Sequence, residues 1–230
     1  MMLHSIKSAI RSNNFLAALA SYTYRLLGFN AIRLHGSNNH VGLNTKGLFV
    51  SRSSIKIHGN NNLITFKSGA VSYIKGLRIS IIGDNNIIEI GPGASCCGLS
   101  ICIEDNNNRV LLGERFRCGM NTELAAIEGT SIEFGDDCML SANIAVRTGD
   151  SHSIVNMKGE RLNQSKSVSI GHHTWIGNSV LVFKGAQIGG HSVVAGGSVV
   201  TGKVFSSNSV VGGNPATVLK ENIDWLEERI

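Results

Sequence analysis

The chain has 230 residues, 42% of them hydrophobic but only 6% aromatic, with 27 glycines and 2 prolines, which excludes collagen-like and Pro-rich disordered chains. That length suits one domain of middling size, or one elongated array with an aliphatic core and Gly-rich turns. The net charge of +5 conceals an asymmetry: residues 1–83 hold ten Lys or Arg and no acid, whereas 84–230 hold eleven against all sixteen acids.

The basic half suits an anionic partner, whether membrane surface, acidic polymer or nucleic acid, with ordinary solvated side chains as the plain alternative. Its bases are dispersed and no nucleic-acid-binding motif accompanies them, so nucleic acid is not expected. Residues 1–30 are expected to be a helical segment, with two pieces at 2–11 and 15–27 and candidate caps at Ser12, Asn13 and Asn14 between them. Neither piece reads as a signal peptide, and the apolar run 15–29 is broken by Arg25 and shorter than the roughly 20 residues of a membrane span. Its basic and leucine-rich composition permits peripheral contact with the inner face of a membrane, although such a face more often packs on its own domain. The five cysteines, Cys96, Cys97, Cys102, Cys118 and Cys138, are odd in number and lack CxxC spacing. They read as reduced thiols of a cytoplasmic protein, with no metal site.

Repeats set the architecture. From Ile170 the chain falls into six successive hexads opening on Ile170, Ile176, Val182, Ile188, Val194 and Val200, with Thr, Val, Ala or Ser in the fifth place. A large aliphatic and a small residue recurring every six positions fit short strands joined by tight corners, three faces closing a triangular coil of eighteen residues. The period extends upstream through Phe134, Leu140 and Val146, and Asn-rich turns ending at Asn39, Asn62, Asn86 and Asn108 recur every 22 to 24 residues. Asn and Gly tolerate the left-handed backbone that such corners require. The expectation is an all-β parallel solenoid over residues 31–215, followed by a helix over 216–230 that places Leu219, Ile223, Leu226 and Ile230 on one face to cap the last coil.

The hexads stop once, over 147–167, a polar segment that contains His152 and is expected to project as a loop. Imidazole, with a reference pKa of about 6.5, can accept and return a proton near neutrality. His152 is therefore the leading catalytic candidate.

The motifs Thr148-Gly-Asp-Ser-His-Ser-Ile, Val168-Ser-Ile-Gly, Thr174-Trp-Ile-Gly, Gly197-Ser-Val-Val-Thr and Gly213-Asn-Pro-Ala occur in one order over 134–220. Together they resemble the hexapeptide-repeat acyltransferases of the left-handed parallel β-helix, and within them the galactoside, maltose and capsular polysaccharide O-acetyltransferases. The resemblance implies the left hand, a homotrimer, acetyl-CoA as donor in the groove between adjacent prisms, and His152 as general base. It implies an orienting role for Asp150, against a loop turn, and a nearby role for Glu160, although the interval from His152 is shorter here than in those relatives. Asn121 falls where they line the acceptor pocket, against simple turn formation. For the donor it marks Trp175, against interface packing, the matched pair Asn178 and Gly196, and Thr201, Lys203 and Lys220 for the CoA phosphates; Lys203 is displaced by one residue from the usual place.

The expected activity is thus acetyl transfer to a sugar hydroxyl of a surface or capsular polysaccharide or its precursor, an acidic one if the basic half meets the acceptor. A nucleotide-sugar N-acetyltransferase is the nearest rival enzyme, and a non-catalytic scaffold the rival of another class. His152, His172, His173 and His191 lack the arrangement of a hexapeptide-repeat carbonic anhydrase, and Gly190-His-Ser-Val-Val fails as a nucleophile elbow.

Overall fold

The computed structural model describes residues 14–43 and 45–230. It is a parallel β solenoid whose three sheets wrap a triangular prism. The first sheet runs from Ala31–His35 to Val199–Val200 and the second from His40–Gly42 to Val204–Phe205, with eight strands each. The third has nine, from Leu48–Ser51 to Ser209–Gly213 plus a final antiparallel strand, Ala216–Glu221.

Alternation builds the core, since successive side chains of a strand face opposite sides. Ile55, Ile79, Ile101, Leu124, Val146, Val182 and Val200 stand in register from coil to coil along the first sheet. All are buried. The openings of the six hexads are likewise buried, as are their fifth residues Thr174, Val180, Ala186, Ser192 and Ser198. The sixth hexad departs from the template: Ile188 pairs with Phe205, so the corner after Val200 is one residue short, and Val204 in fifth place is 74% exposed. The Lys203 amide closes that tight corner on the Thr201 carbonyl at 2.6 Å.

The Asn-rich turns form a ladder inside the corner between the first and second sheets. The Asn39 side-chain oxygen accepts from the Asn62 amide at 3.1 Å, Asn62 from Asn86 at 2.9 Å, Asn86 from Asn108 at 2.8 Å, and Asn108 from Thr130 at 3.0 Å. Asn62, Asn86 and Asn108 are buried, so each rung satisfies main-chain groups that would otherwise lose their hydration unpaired.

Helix Asn14–Leu27 packs on the start of the third sheet, with Tyr24 edge-on to Phe49 and Phe49 stacked on Tyr73. The Arg25 guanidinium turns inward and donates to the Leu48 carbonyl at 3.0 Å; burial lowers its pKa. The expected helix at 2–11 lies outside the described residues. Among the described residues no helix is long and apolar enough to cross a membrane. All five cysteines are free, and burial pushes the Cys138 thiol up to about 12.

The expected carboxyl-terminal helix is not formed. Ala216–Glu221 instead returns antiparallel along Ser209–Gly213, and residues 222–230 follow without helix. The last coil leaves a strand with unpaired main-chain groups, and satisfying that edge outweighs an amphipathic pattern over so short a segment. Leu219, Leu226 and Ile230, expected to cover the core, are exposed.

Candidate active site

The asparagine ladder leads to the base of the projecting loop. Thr130 Oγ1 donates to Thr148 Oγ1 at 2.6 Å, and Thr148, fully buried, accepts the Ile127 amide at 3.0 Å. The loop leaves and returns at this point, where the Lys166 amide bonds the Thr148 carbonyl at 2.9 Å. The neck is tight: a Cβ on Gly149 would stand 2.3 Å from Ser165 Oγ and 2.4 Å from Ile127 Cδ1, so a larger residue there would have to displace both side chains.

Beyond the neck the loop is ordered as a small hairpin. Leu162 N–H bonds the Ile154 carbonyl at 2.8 Å, Asn156 N–H bonds the Glu160 carbonyl at 2.9 Å, and Val155 bridges Arg161. Asn163 is its hub and is 8% exposed. Its Nδ2 donates to Asp150 Oδ2 at 2.8 Å and to the His152 carbonyl at 2.7 Å, and its Oδ1 accepts from Ile154 N–H at 2.7 Å. Lys184, from the corner one coil further on, pairs with Asp150 and donates to the Asn163 carbonyl at 3.0 Å. On the other flank Arg161 pairs with Glu128 at 2.7 Å, and Glu128 accepts the Ser165 amide at 3.2 Å. Lys184 first, then Asn163, holds the Asp150 carboxyl below the usual carboxylate range; Arg161, then Ser165, does the same for Glu128.

His152 is exposed; Asn163 bonds its carbonyl and the amide of Ile154 two residues on, while its ring has no polar partner among the described residues. Asp150 faces Lys184 and Asn163 rather than the imidazole. Glu160 lies in the hairpin turn and accepts from Asn156 at 2.7 Å. Thr201 borders the same corner as Asp150, Lys166 and Lys184, Lys203 lies beside it with Nζ 3.4 Å from the Ala216 carbonyl, and Lys220 is exposed on the returning strand.

The remaining candidates stand elsewhere on the prism. Asn121, Asn143 and Asn178 form a second, exposed ladder at the corner between the third and first sheets, with side-chain spacings of 3.0 and 3.4 Å. Gly196 lies in the next coil of that corner, where a Cβ would come within 3.2 Å of the Asn178 carbonyl. Trp175 is 37% exposed on the outer face of the third sheet, its indole N–H 3.4 Å from Ser141 Oγ. Within the chain, the loop residues Asp150, His152 and Glu160 thus share one edge of the prism with Thr201 and Lys203, and Asn121, Asn178 and Gly196 lie at another.

Sequence reasoning overlooked Asn163 and Lys184. Lys184 carried a usable signal, since it stands one coil after the loop at the corner from which the loop projects; Asn163 carried none beyond its polarity. It also overlooked the setting of Asn121, which borders a groove with Arg52, Lys75 and Arg78. The basic half thus reaches a candidate acceptor residue.

No family model matches the chain. It is 30% identical over 200 residues to the polysialic acid O-acetyltransferase of Neisseria meningitidis, an alignment covering 86% of this chain and 91% of that protein. It is also 30% identical over 116 residues to the galactoside O-acetyltransferase of Escherichia coli K12, covering 50% and 55%. Among solved structures, the polysialic-acid-specific acetyltransferase NeuO superposes with a TM-score of 0.77 at 26% identity over 86% of this chain and 89% of that one. The polysialic acid O-acetyltransferase OatWY gives 0.75 at 25% identity over 88% and 93%.

The fold and its relatives define an acetyltransferase built on a left-handed parallel β-helix. The chain belongs to the hexapeptide-repeat O-acetyltransferase family that includes the polysialic acid and galactoside enzymes, and it is an acyltransferase.

Proposed function

We propose that the protein transfers an acetyl group from acetyl-CoA to a hydroxyl of an acidic capsular or surface polysaccharide, with His152 as general base. The observation that carries the acceptor class is the likeness to polysialic acid O-acetyltransferases over 86% of the chain. It is joined by the groove where Arg52, Lys75 and Arg78 meet Asn121 with no acid among its lining residues.

The chemistry follows from an exposed imidazole on a pinned main chain. A ring nitrogen of His152 takes the proton of the acceptor hydroxyl as that oxygen attacks the thioester carbonyl carbon. The tetrahedral intermediate then expels the CoA thiolate, which recovers the proton from the imidazolium. Main-chain N–H groups at a coil corner stabilise the oxyanion, a role that needs fixed donors rather than a particular side chain. Asp150 and Lys184 act on the ring through the loop rather than by touching it.

The site is completed between subunits of a homotrimer. His152 and the pair Asn178 and Gly196 stand on different edges of one prism, and cyclic closure brings unlike edges of neighbouring copies together. The hairpin arm also presents Ile154, Val155, Met157 and Leu162, all more than half exposed, with no cover in its own subunit. Trp175, Asn178, Gly196, Thr201, Lys203 and Lys220 are the proposed contacts to acetyl-CoA, which acts as a co-substrate. Exposed Leu19, Tyr22, Leu26, Leu27 and Phe29 support peripheral contact with a membrane, on whose cytoplasmic side acetyl-CoA is found.

The test is release of CoA thiol from acetyl-CoA across a panel of acidic glycans, neutral glycans and amino-sugar nucleotides, together with light scattering. An acidic glycan should be used and should carry an acetyl group that mild base removes. Acetylation that survives base would assign the N-acetyltransferase activity instead, and a monomer at micromolar concentration would remove the shared site.

A further inference from the structure

Two histidines of successive coils and one carboxylate of the tail converge at the corner between the second and third sheets, away from the loop. The coil length explains the first part, for His173 and His191 are eighteen residues apart and occupy equivalent left-handed positions, φ 50° and 56°. The tail explains the rest. Asn208, in the next coil of the same corner, bonds both main-chain groups of Ile223 at 3.0 Å, which lays Asp224 over the two rings.

We propose that His173, His191 and Asp224 bind one divalent transition-metal ion of the zinc class, which fastens the carboxyl-terminal tail to the solenoid. His191 Nδ1 lies 3.2 Å from Asp224 Oδ2, His173 Nε2 lies 3.5 Å from Asp224 Oδ1, and the three donor atoms all fall within 4.8 Å of one another. Bonds of about 2.0 to 2.1 Å arranged tetrahedrally give ligand separations of about 3.3 Å. The Trp225 carbonyl oxygen stands 3.1 Å from His173 Nε2, at the same separation, and offers a fourth ligand.

The donors are held before any ion arrives. The Trp225 ring is stacked on His173 at 4.4 Å, its indole N–H bonds the His173 carbonyl at 2.8 Å, and its main-chain N–H bonds Asp224 Oδ1 at 2.9 Å. Nearby cations are already engaged: Arg115 binds Asp137 at 2.5 and 2.8 Å, and Arg117 binds Glu227 at 2.5 Å. Trp225 N–H first, and then His191, keeps the Asp224 carboxyl below the usual range, so an anionic ligand is present near neutrality. Two imidazoles with one carboxylate favour zinc, cobalt or copper over calcium and magnesium, which prefer oxygen.

The experiment uses the full chain without an affinity tag, stripped with chelator and titrated with cobalt and then zinc. One cobalt ion per chain should bind with the visible absorption of a tetrahedral site, and zinc should displace it. His191→Gln and Asp224→Asn, both at surface positions, should weaken binding at least tenfold while far-UV circular dichroism stays unchanged, and Cys97→Ser should bind as wild type. In a Trp175→Phe background copper should quench Trp225 emission, a readout independent of activity. No binding at 100 μM metal, or equal binding by wild type and both ligand variants, would overturn the site and leave an ion pair between imidazole and carboxylate as the whole of the contact.

Discussion

Asn163→Ala removes the hub of the loop without touching the imidazole, which makes it a sharp test of how His152 is held. Three hydrogen bonds of 2.7 to 2.8 Å are lost, to Asp150, the His152 carbonyl and the Ile154 amide. At about 0.5 to 1.5 kcal/mol net for each bond, and with Asp150 and His152 free to regain water, the hairpin should lose about 2 to 3 kcal/mol of local stability. A tenfold change in an equilibrium constant corresponds to about 1.4 kcal/mol, so exchange protection should fall by about 30- to 150-fold. Hydrogen exchange at the amides of Asn156 and Leu162, both bonded across the hairpin, reads this directly. Protection in the solenoid strands should not change. Turnover should fall with that loss of order while acetyl-CoA affinity stays near wild type. Hairpin protection within threefold of wild type would refute the role given to Asn163 and leave the backbone bonds of the hairpin to order the loop alone.

Other expectations follow from the same contacts. Phe116→Ala should cost about 3 to 5 kcal/mol and lower the melting temperature, because Phe116 is fully buried and edge-on to Phe134 at 5.1 Å. Acid should loosen the loop before the prism. Asp150 and Glu128 have lowered pKa values, so their contribution is present above the unfolded values of about 3.9 and 4.3 and is lost as the pH falls through the folded ones. Limited proteolysis at 147–167 should therefore be pH-independent between about 5 and 8 as far as these two groups are concerned, and rise below about 4; equal cleavage at pH 3 and 6 would contradict this. Arg78→Ala should raise KM for an acidic polymer and weaken its salt dependence, leaving a short neutral sugar unaffected. Equal salt dependence in wild type and variant would separate the basic groove from the acceptor.

Much of the prism was legible because a hexad writes its geometry into every sixth residue. The interior column from Phe134 through Val200 could be read without a structure, and so could the loop, as the one gap in the pattern. The sixth hexad shows the limit of this: Phe205 replaces the expected residue because one corner is shortened by a single position, which a template cannot register. The tail shows another. Leu219, Ile223, Leu226 and Ile230 have helical spacing, but the exposed edge of Ser209–Gly213 pairs with the segment, and only the folded prism creates that edge. Contacts between distant positions, such as Lys184 with Asp150 or Asp224 with His191, depend on where corners stack and on where the tail returns.

The most direct test of the account compares wild type and His152→Ala on one acidic glycan at saturating acetyl-CoA, with released CoA thiol and glycan mass both recorded. Wild type should yield a base-labile acetyl ester with one thiol per ester. The variant's turnover should be lower by about a hundredfold or more, with CoA binding nearly unchanged. Wild-type turnover by His152→Ala would contradict a base on the loop, and no thiol release by wild type with any glycan would contradict the proposed reaction itself.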